Sequence, residues 1–432
     1  MASKVAFTTL GCRLNQAESD SMADELLERG MEQAAPGEHP DLVVVNTCTV
    51  TREATKASRA AIRRAARTYP QARVVVIGCY AVSDRDEVEA IEGVDAVLTN
   101  DDKESFVQAL RTASATAPLL HISPPRASTR ATVPPRVRAN LKIQTGCDEW
   151  CTFCIIPTTR GPLRSRAADE VVREARAKVL AGARELVLTG VHLGKYAYDR
   201  AGDERELVDL WRRLVEIEGL ERLRLSSILS RHLTEEVVDF IAGEPKMCEY
   251  LHVPLQAGDD AVLDAMHRPY GIDEYMTSVE RAQRSIPGLA LATDIIVGFP
   301  GESDRAFRRT LDVVRALQFS KLHVFRYSAR PGTAAATMAD VVSPETKKGR
   351  SKELIALGNQ IRSRWLNSHL GAPLRVLVED ERAVDGVSVA SGQTRDLVRV
   401  WFEGGGSLGD TVDVEGVRVR ADGIEGCVGA RR

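Results

Sequence analysis

Two apolar tetrapeptides, Leu42-Val43-Val44-Val45 and Val74-Val75-Val76-Ile77, constrain this chain more than any other feature. Strands with no polar alternation are buried on both faces, as in a parallel sheet covered by helices. Residues 4–9 read as a third short strand, followed by a helical pattern carrying Met22, Leu26 and Leu27. A long helix over residues 52–68 separates the two apolar runs. This alternation predicts a small doubly wound α/β domain over residues 1–111.

Residues 112–137 are rich in Ala, Ser, Thr and Pro and read as a linker, with arginines at 126, 130 and 136. Strand–helix alternation then resumes. Strands are expected at 141–144, 185–188, 222–225, 291–296 and 321–325, with helices at 168–181 and 305–317 among them. Repeated βα units over residues 138–370 predict a full or partial (βα) barrel. From 371 to 432 the texture is all-β, with strands at 374–378, 397–401 and 411–414 and a turn at Gly404-Gly405-Gly406.

The start of the chain shows no apolar secretory region, and no apolar run is long enough to span a bilayer, so the cytoplasm is the expected location. There the eight cysteines are expected as thiols rather than disulfides. A net charge of −3, from 58 Lys+Arg against 61 Asp+Glu, confines any nucleic-acid contact to local basic patches.

Cys147, Cys151 and Cys154 lie on one short loop just after a predicted strand. Three thiolates can hold three corners of an iron–sulfur cubane and leave one iron open to a small chelating ligand. Zinc sites more often use two close cysteine pairs. Cys12, Cys48 and Cys79 each follow the end of a predicted parallel strand, where loops gather in one crevice. They read either as a second three-thiolate site or as small buried side chains. Cys248 and Cys427 have no partners at cluster spacing and are expected to be ordinary buried thiols.

The loop Gly146-Cys-Asp-Glu-Trp-Cys-Thr-Phe-Cys154 resembles the radical S-adenosylmethionine superfamily. Thr9-Leu-Gly-Cys-Arg-Leu-Asn-Gln-Ala-Glu-Ser19, Val45-Asn-Thr-Cys-Thr-Val50 and Ile77-Gly-Cys-Tyr80 narrow the resemblance to the methylthiotransferases. So do Cys154-Ile-Ile-Pro157 leading to Arg160-Gly-Pro-Leu-Arg-Ser-Arg166, Leu251-His-Val-Pro-Leu-Gln-Ala-Gly258 and Thr293-Asp-Ile-Ile-Val-Gly-Phe-Pro-Gly-Glu302. The resemblance covers essentially the whole chain and implies an auxiliary-cluster domain, a radical barrel and a C-terminal TRAM-like module.

It also implies two [4Fe–4S] clusters, an auxiliary one on Cys12, Cys48 and Cys79 and a radical one on Cys147, Cys151 and Cys154. One S-adenosylmethionine then methylates a sulfur held at the auxiliary cluster. A second is cleaved to an adenosyl radical that removes an inert hydrogen from the target. An electron donor and a sulfur source are implied partners. By position, Thr189, Gly190, Gln256, Ile296 and Val297 are candidates for the S-adenosylmethionine pocket. Leu188-Thr-Gly-Val-His192 stands where the superfamily often has Gly-Gly-Glu. His192 after a strand reads as structural, since radical abstraction needs no base.

The first cysteine phrase most resembles the enzymes acting on threonylcarbamoyladenosine beside the anticodon of tRNA. Isopentenyladenosine of tRNA and an aspartate of a ribosomal protein are the competing substrates, and a non-enzymatic iron–sulfur RNA-binding sensor is the alternative of another class. For RNA contact the candidates are Arg59 and Arg63 on a stripe from Arg52 to Arg67, then Arg160, Arg164, Arg166, Arg395 and Arg399. Against an RNA role, residues 372–432 hold 11 acidic and 8 basic residues.

Overall fold

A computed structural model describes residues 3–113, 136–339, 342–384 and 387–428. Nearly all of the expected linker, with Arg126 and Arg130, lies outside them. The described residues form two compact units, one of those up to 113 with 144–150 and 154–164, the other of 136–143, 151–153 and those from 165 to 428. No helix among the described residues is long and apolar enough to cross a membrane.

The first unit is built on a parallel sheet of β1 (Lys4–Thr9), β2 (Glu32–Gln33), β3 (Leu42–Thr47), β4 (Arg73–Gly78) and β5 (Ala96–Val97). The order is β2-β1-β3-β4-β5. Successive residues of β3 serve opposite faces, as the pleat requires. Leu42 and Val44 pack with Met22 and Leu26 of α1 (Arg13–Glu28), while Val43 and Val45 pack with Ile62 and Ala65 of α2 (Arg52–Thr68). Each such side chain contributes roughly 1.5–3 kcal/mol of burial, which is why both apolar runs need helices on both faces. Thr51 caps α2, its hydroxyl accepting from the Ala54 N–H at 3.1 Å.

Six parallel strands form the centre of the second unit. β6 (Arg138–Lys142), β7 (Glu185–Thr189) and β8 (Arg222–Leu225) make one sheet, and β9 (Tyr250–His252), β10 (Ala290–Val297) and β11 (Lys321–Arg326) another. A parallel bridge from Leu223 to Met247 joins them in chain order. No pairing closes β11 onto β6 among the described residues, so the barrel is partial. Helices such as Ala168–Leu180, Ile272–Ser285 and Asp304–Leu317 bury their apolar stripes against it.

The C-terminal strands, β12 (Pro373–Val384), β13 (Val387–Gln393), β14 (Arg399–Glu403), β15 (Thr411–Val419) and β16 (Gly423–Val428), close into a barrel. The strand expected at 397–401 begins two residues later, because Leu397 has φ +66° in a turn. Cys427 is exposed on β16, correcting the expectation that it is buried, whereas Cys248 is buried and burial pushes its thiol up to about 12.

Within the second unit, arginines tie this small barrel to the large one. Arg224 is fully buried; its Nε donates to Glu185 Oε1 at 2.6 Å and its Nη1 to the Arg395 carbonyl at 2.7 Å. Arg222 donates to the carbonyls of Gln393 and Arg375 at 2.7 and 3.0 Å. Removing one partner of a buried pair strands the other charge. Arg224→Met is therefore expected to cost about 3–5 kcal/mol, read as a lower Tm and faster proteolysis within residues 371–428. A Tm and cleavage rate equal to wild type would refute this lock.

Candidate functional site

The parallel register of β1, β3 and β4 brings three distant cysteines to one end of the sheet. Thr9 pairs with Asn46, and Asn46 with Ile77, so the carboxyl ends of the three strands are level. Cys12 follows β1 as the residue before α1, Cys48 directly follows β3, and Cys79 directly follows β4 at the start of the short helix Cys79–Ser83. Cys48 and Cys79 are buried and Cys12 is exposed. Burial pushes the Cys48 thiol up to about 11, with Cys79 and Cys12 adding to the shift and Arg160 opposing it. All three cysteines and Arg160 thus lie in one electrostatic neighbourhood.

Glycines make room at these strand ends. Gly11 has φ +96°, and a Cβ there would stand 2.6 Å from Cys48 Cβ. A Cβ on Gly78, at φ +107°, would fall 2.5 Å from the Thr47 carbonyl oxygen. Buried amides then lace the ends together. Asn15 Nδ2 donates to the carbonyls of Leu10 and Thr47 at 2.8 and 2.9 Å, and Asn46 Nδ2 to that of Asn15 at 2.9 Å. Ser58 of α2 accepts from the Cys48 N–H at 3.0 Å and donates to its carbonyl at 2.8 Å. All of these residues but Ser58 stand in the cysteine phrases, and their part in holding the loops is visible only in three dimensions.

The second cysteine loop is shaped by Gly146, at φ +72°, where a Cβ would lie 1.8 Å from the Pro162 carbonyl oxygen. The Cys147 N–H donates to the Gly161 carbonyl at 3.2 Å, and the Glu149 N–H lies 3.4 Å from Cys147 Sγ. Cys147 and Cys154 pack as part of the first unit, and Cys151 as part of the second. There Arg268 Nη1 donates to Cys151 Sγ at 3.3 Å, while its guanidinium lies over the Tyr270 ring at 4.9 Å. Tyr270 in turn donates to the Pro254 carbonyl at 2.6 Å. Arg268 escaped sequence reasoning because it stands 117 residues from the thiol that it meets.

Around the barrel strands, the pocket candidates separate. Thr189 ends β7 with its hydroxyl buried and without a hydrogen-bond partner among the described residues, which suits a polar ligand atom. Gly190, the next residue, is half-buried. Gln256 is buried at φ +67°, with its N–H bonded to the Asp294 carbonyl at 2.8 Å. Ile296 and Val297 are consecutive strand residues and cannot line the same surface. Val297 is fully buried in the core, and Ile296 is half-buried. Sequence reading missed a trio on β9, β10 and β11: His252, Asp294 and His323 bring their polar atoms within 4.8 Å of one another. His192 stacks edge-on against His232, with centroids 5.2 Å apart, in keeping with a structural role.

Most of the expected RNA-binding arginines have partners within the chain. Arg160 is buried and held by Glu18 and Asn15. Arg395 is spent on Glu249, with Nε–Oε2 at 2.9 Å, and on the carbonyl of Pro245. Arg166 pairs with Glu174, Arg164 with Asp101, Arg59 with Glu87 and Tyr80, and Arg399 with Ser391 and the Trp401 ring. On α2, Arg52, Lys56, Arg63 and Arg67 are exposed.

If both cysteine sets hold iron, replacing Cys12, Cys48 and Cys79 by Ala leaves a chain whose iron content reports on the Cys147 loop alone. Adding Gly146→Ala to that chain is expected to abolish iron uptake and visible absorption, because the loop cannot close on Pro162. Iron content equal to the parent's would disprove the cradle.

Residues 4–99 match the Uncharacterized protein family UPF0004, and residues 141–314 the Radical SAM superfamily. The chain is 37% identical, over 93% of its length and 90% of the relative's, to threonylcarbamoyladenosine tRNA methylthiotransferase MtaB of Bacillus subtilis. It is 34% identical to the protein of that name from Thermotoga maritima, over 99% of both chains. To tRNA-2-methylthio-N(6)-dimethylallyladenosine synthase of Salinispora arenicola it is 35% identical, over 93% of this chain and 82% of that one. In fold it is similar to the radical S-adenosylmethionine methyltransferase TsrM from Kitasatospora setae, with TM-score 0.57, 16% identity and 78% and 77% of the two chains covered. The three-cysteine loop that follows the first barrel strand in the chain, the cysteines at the ends of the N-terminal sheet and these near full-length matches make the chain a member of the radical S-adenosylmethionine methylthiotransferase family.

Proposed function

We propose that this enzyme converts N6-threonylcarbamoyladenosine beside the anticodon of tRNA to its 2-methylthio derivative. The observation that carries the reading is end-to-end similarity to proteins named for that reaction, joined to a first cysteine phrase of the same type. The two three-cysteine sets are read as ligands of two [4Fe–4S] clusters, Cys147, Cys151 and Cys154 for the radical cluster and Cys12, Cys48 and Cys79 for the auxiliary one. The donor sets fit: thiolates are the ligands such clusters take, and three of them leave one iron open. Bound at the open iron, S-adenosylmethionine supplies the radical that activates an inert C–H bond.

The chain's own groups position and enclose. Arg268 donates to the Cys151 sulfur and so fixes where that side chain sits. Thr189 offers its buried hydroxyl, and Gln256 its side chain, to the ligand's polar atoms. Ser58, Asn15 and Asn46 hold the backbone of the loops bearing Cys48 and Cys12, which lowers the ordering cost of binding metal there. The exposed stripe Arg52, Lys56, Arg63 and Arg67 is the cationic surface that we assign to the tRNA backbone.

Deleting the gene in its host is expected to remove 2-methylthio-N6-threonylcarbamoyladenosine from digested tRNA and to leave its unmodified parent. Unchanged nucleosides would overturn the substrate and favour a protein target such as a ribosomal aspartate. In the purified enzyme, anaerobic reconstitution is expected to give about eight irons per chain, and about four would sink the second cluster. Cys12→Ala should abolish methylthiolation while sparing formation of 5′-deoxyadenosine, and loss of both with the radical cluster intact would contradict the division of roles.

A further inference from the structure

Glu18 lies on α1, three residues beyond Asn15, and its carboxylate accepts from two cations. Lys103 Nζ is 2.6 Å from Oε2, while Arg160 donates to Oε1 at 2.8 Å and to Oε2 at 3.1 Å. The side chains of Lys103 and Arg160 are 1% exposed and that of Glu18 is 2% exposed. One carboxylate thus serves two positive charges where water does not reach. Two cations on one carboxylate leave the site short of counter-charge; burial, with Arg160 adding to it, holds the Lys103 ammonium below its ordinary range in spite of Glu18, whereas despite burial Glu18 holds the Arg160 guanidinium above its own.

What could supply that counter-charge lies alongside. Cys79 acts electrostatically on both Lys103 and Arg160, Cys12 acts on Arg160, and Arg160 acts on Cys48. Asn100 bridges the two groups, with Nδ2 2.7 Å from the Thr159 carbonyl and 3.9 Å from Cys79 Sγ. A buried charge is costly until an opposite charge sits close by. Three thiolates carry more negative charge than a resting cubane carries positive, so the assembled cluster is a net anion.

We propose that Glu18, Lys103 and Arg160 form the built-in counter-charge of the N-terminal cluster site, raising the reduction potential of the cluster held by Cys12, Cys48 and Cys79 and resisting its loss. This rests on reading those cysteines as cluster ligands. Lys103 and Arg160 are positioning residues: they act on the cluster through space and touch no substrate. Their excess charge is a liability in the metal-free chain and an asset in the loaded one, whereas an ordinary structural salt bridge stabilises both.

The test uses the full chain with Cys147, Cys151 and Cys154 replaced by Ala, so that one cluster remains. Lys103→Met leaves a one-to-one Glu18–Arg160 pair. It is expected to keep or raise the Tm of the metal-free chain, shift the cluster's potential to more negative values and speed iron release to a chelator. Glu18→Gln should act oppositely on potential, shifting it to less negative values, and should lower the metal-free Tm. If Lys103→Met takes up no cluster while its metal-free Tm is kept, the inference stands. Unmoved potentials and release rates in both variants, or a lower metal-free Tm for Lys103→Met with its potential unchanged, would overturn it while leaving the ligand reading intact. A parent chain that binds no iron would overturn the ligand reading itself, and this inference with it.

Discussion

Parallel pairing is the constraint on which the rest depends. Neighbouring strands that run the same way all end on one side, and the loops leaving them must share that side. β1, β3 and β4 end level, so the residues that follow them meet without any contact between them in sequence. The same pairing across β6 to β11 sets Thr189 and Gln256 at the carboxyl ends of barrel strands. Everything else at these ends is adjustment: glycine where a Cβ would strike a neighbour, asparagine where two loops need a common donor, serine where a cysteine's backbone needs a partner.

Much of this was legible in the sequence because β3 and β4 carry wholly apolar runs and Cys48 and Cys79 stand directly behind those strands. Leu42 to Val45 announces burial on both faces, and α1 and α2 supply the two covers. The partial closure of the barrel was not legible, since closure depends on whether the last strand reaches the first. The start of β14 was missed because nothing in Thr394-Arg395-Asp396-Leu397 signals a left-handed Leu397. Arg268 on Cys151 and the trio His252, Asp294 and His323 were missed because their members come from separate segments of the chain.

Charge was the least legible property of all. An arginine on a loop looks the same in sequence whether it faces water or a carboxylate. Arg160 and Arg395 are held internally by Glu18 and Glu249. Their residue types and spacing suggest phosphate binding, and the carboxylates of Glu18 and Glu249 occupy them instead. Lys103, which drew no notice in the sequence, is as buried as Arg160.

The arginines that join the C-terminal barrel to its neighbour carry a consequence for ionic strength. Arg222, Arg224 and Arg395 direct their guanidinium groups at carbonyls and carboxylates of the same chain. Cations so engaged are not available to neutralise phosphates, and so release none of the counterions condensed on an arriving polyanion. The entropy of ion release, which makes such association fall steeply with added salt, must come from the exposed cations of α2 and similar surfaces. Association with a polyanion should therefore depend on salt more gently than 58 basic residues would suggest, with shape and stacking carrying more of the affinity.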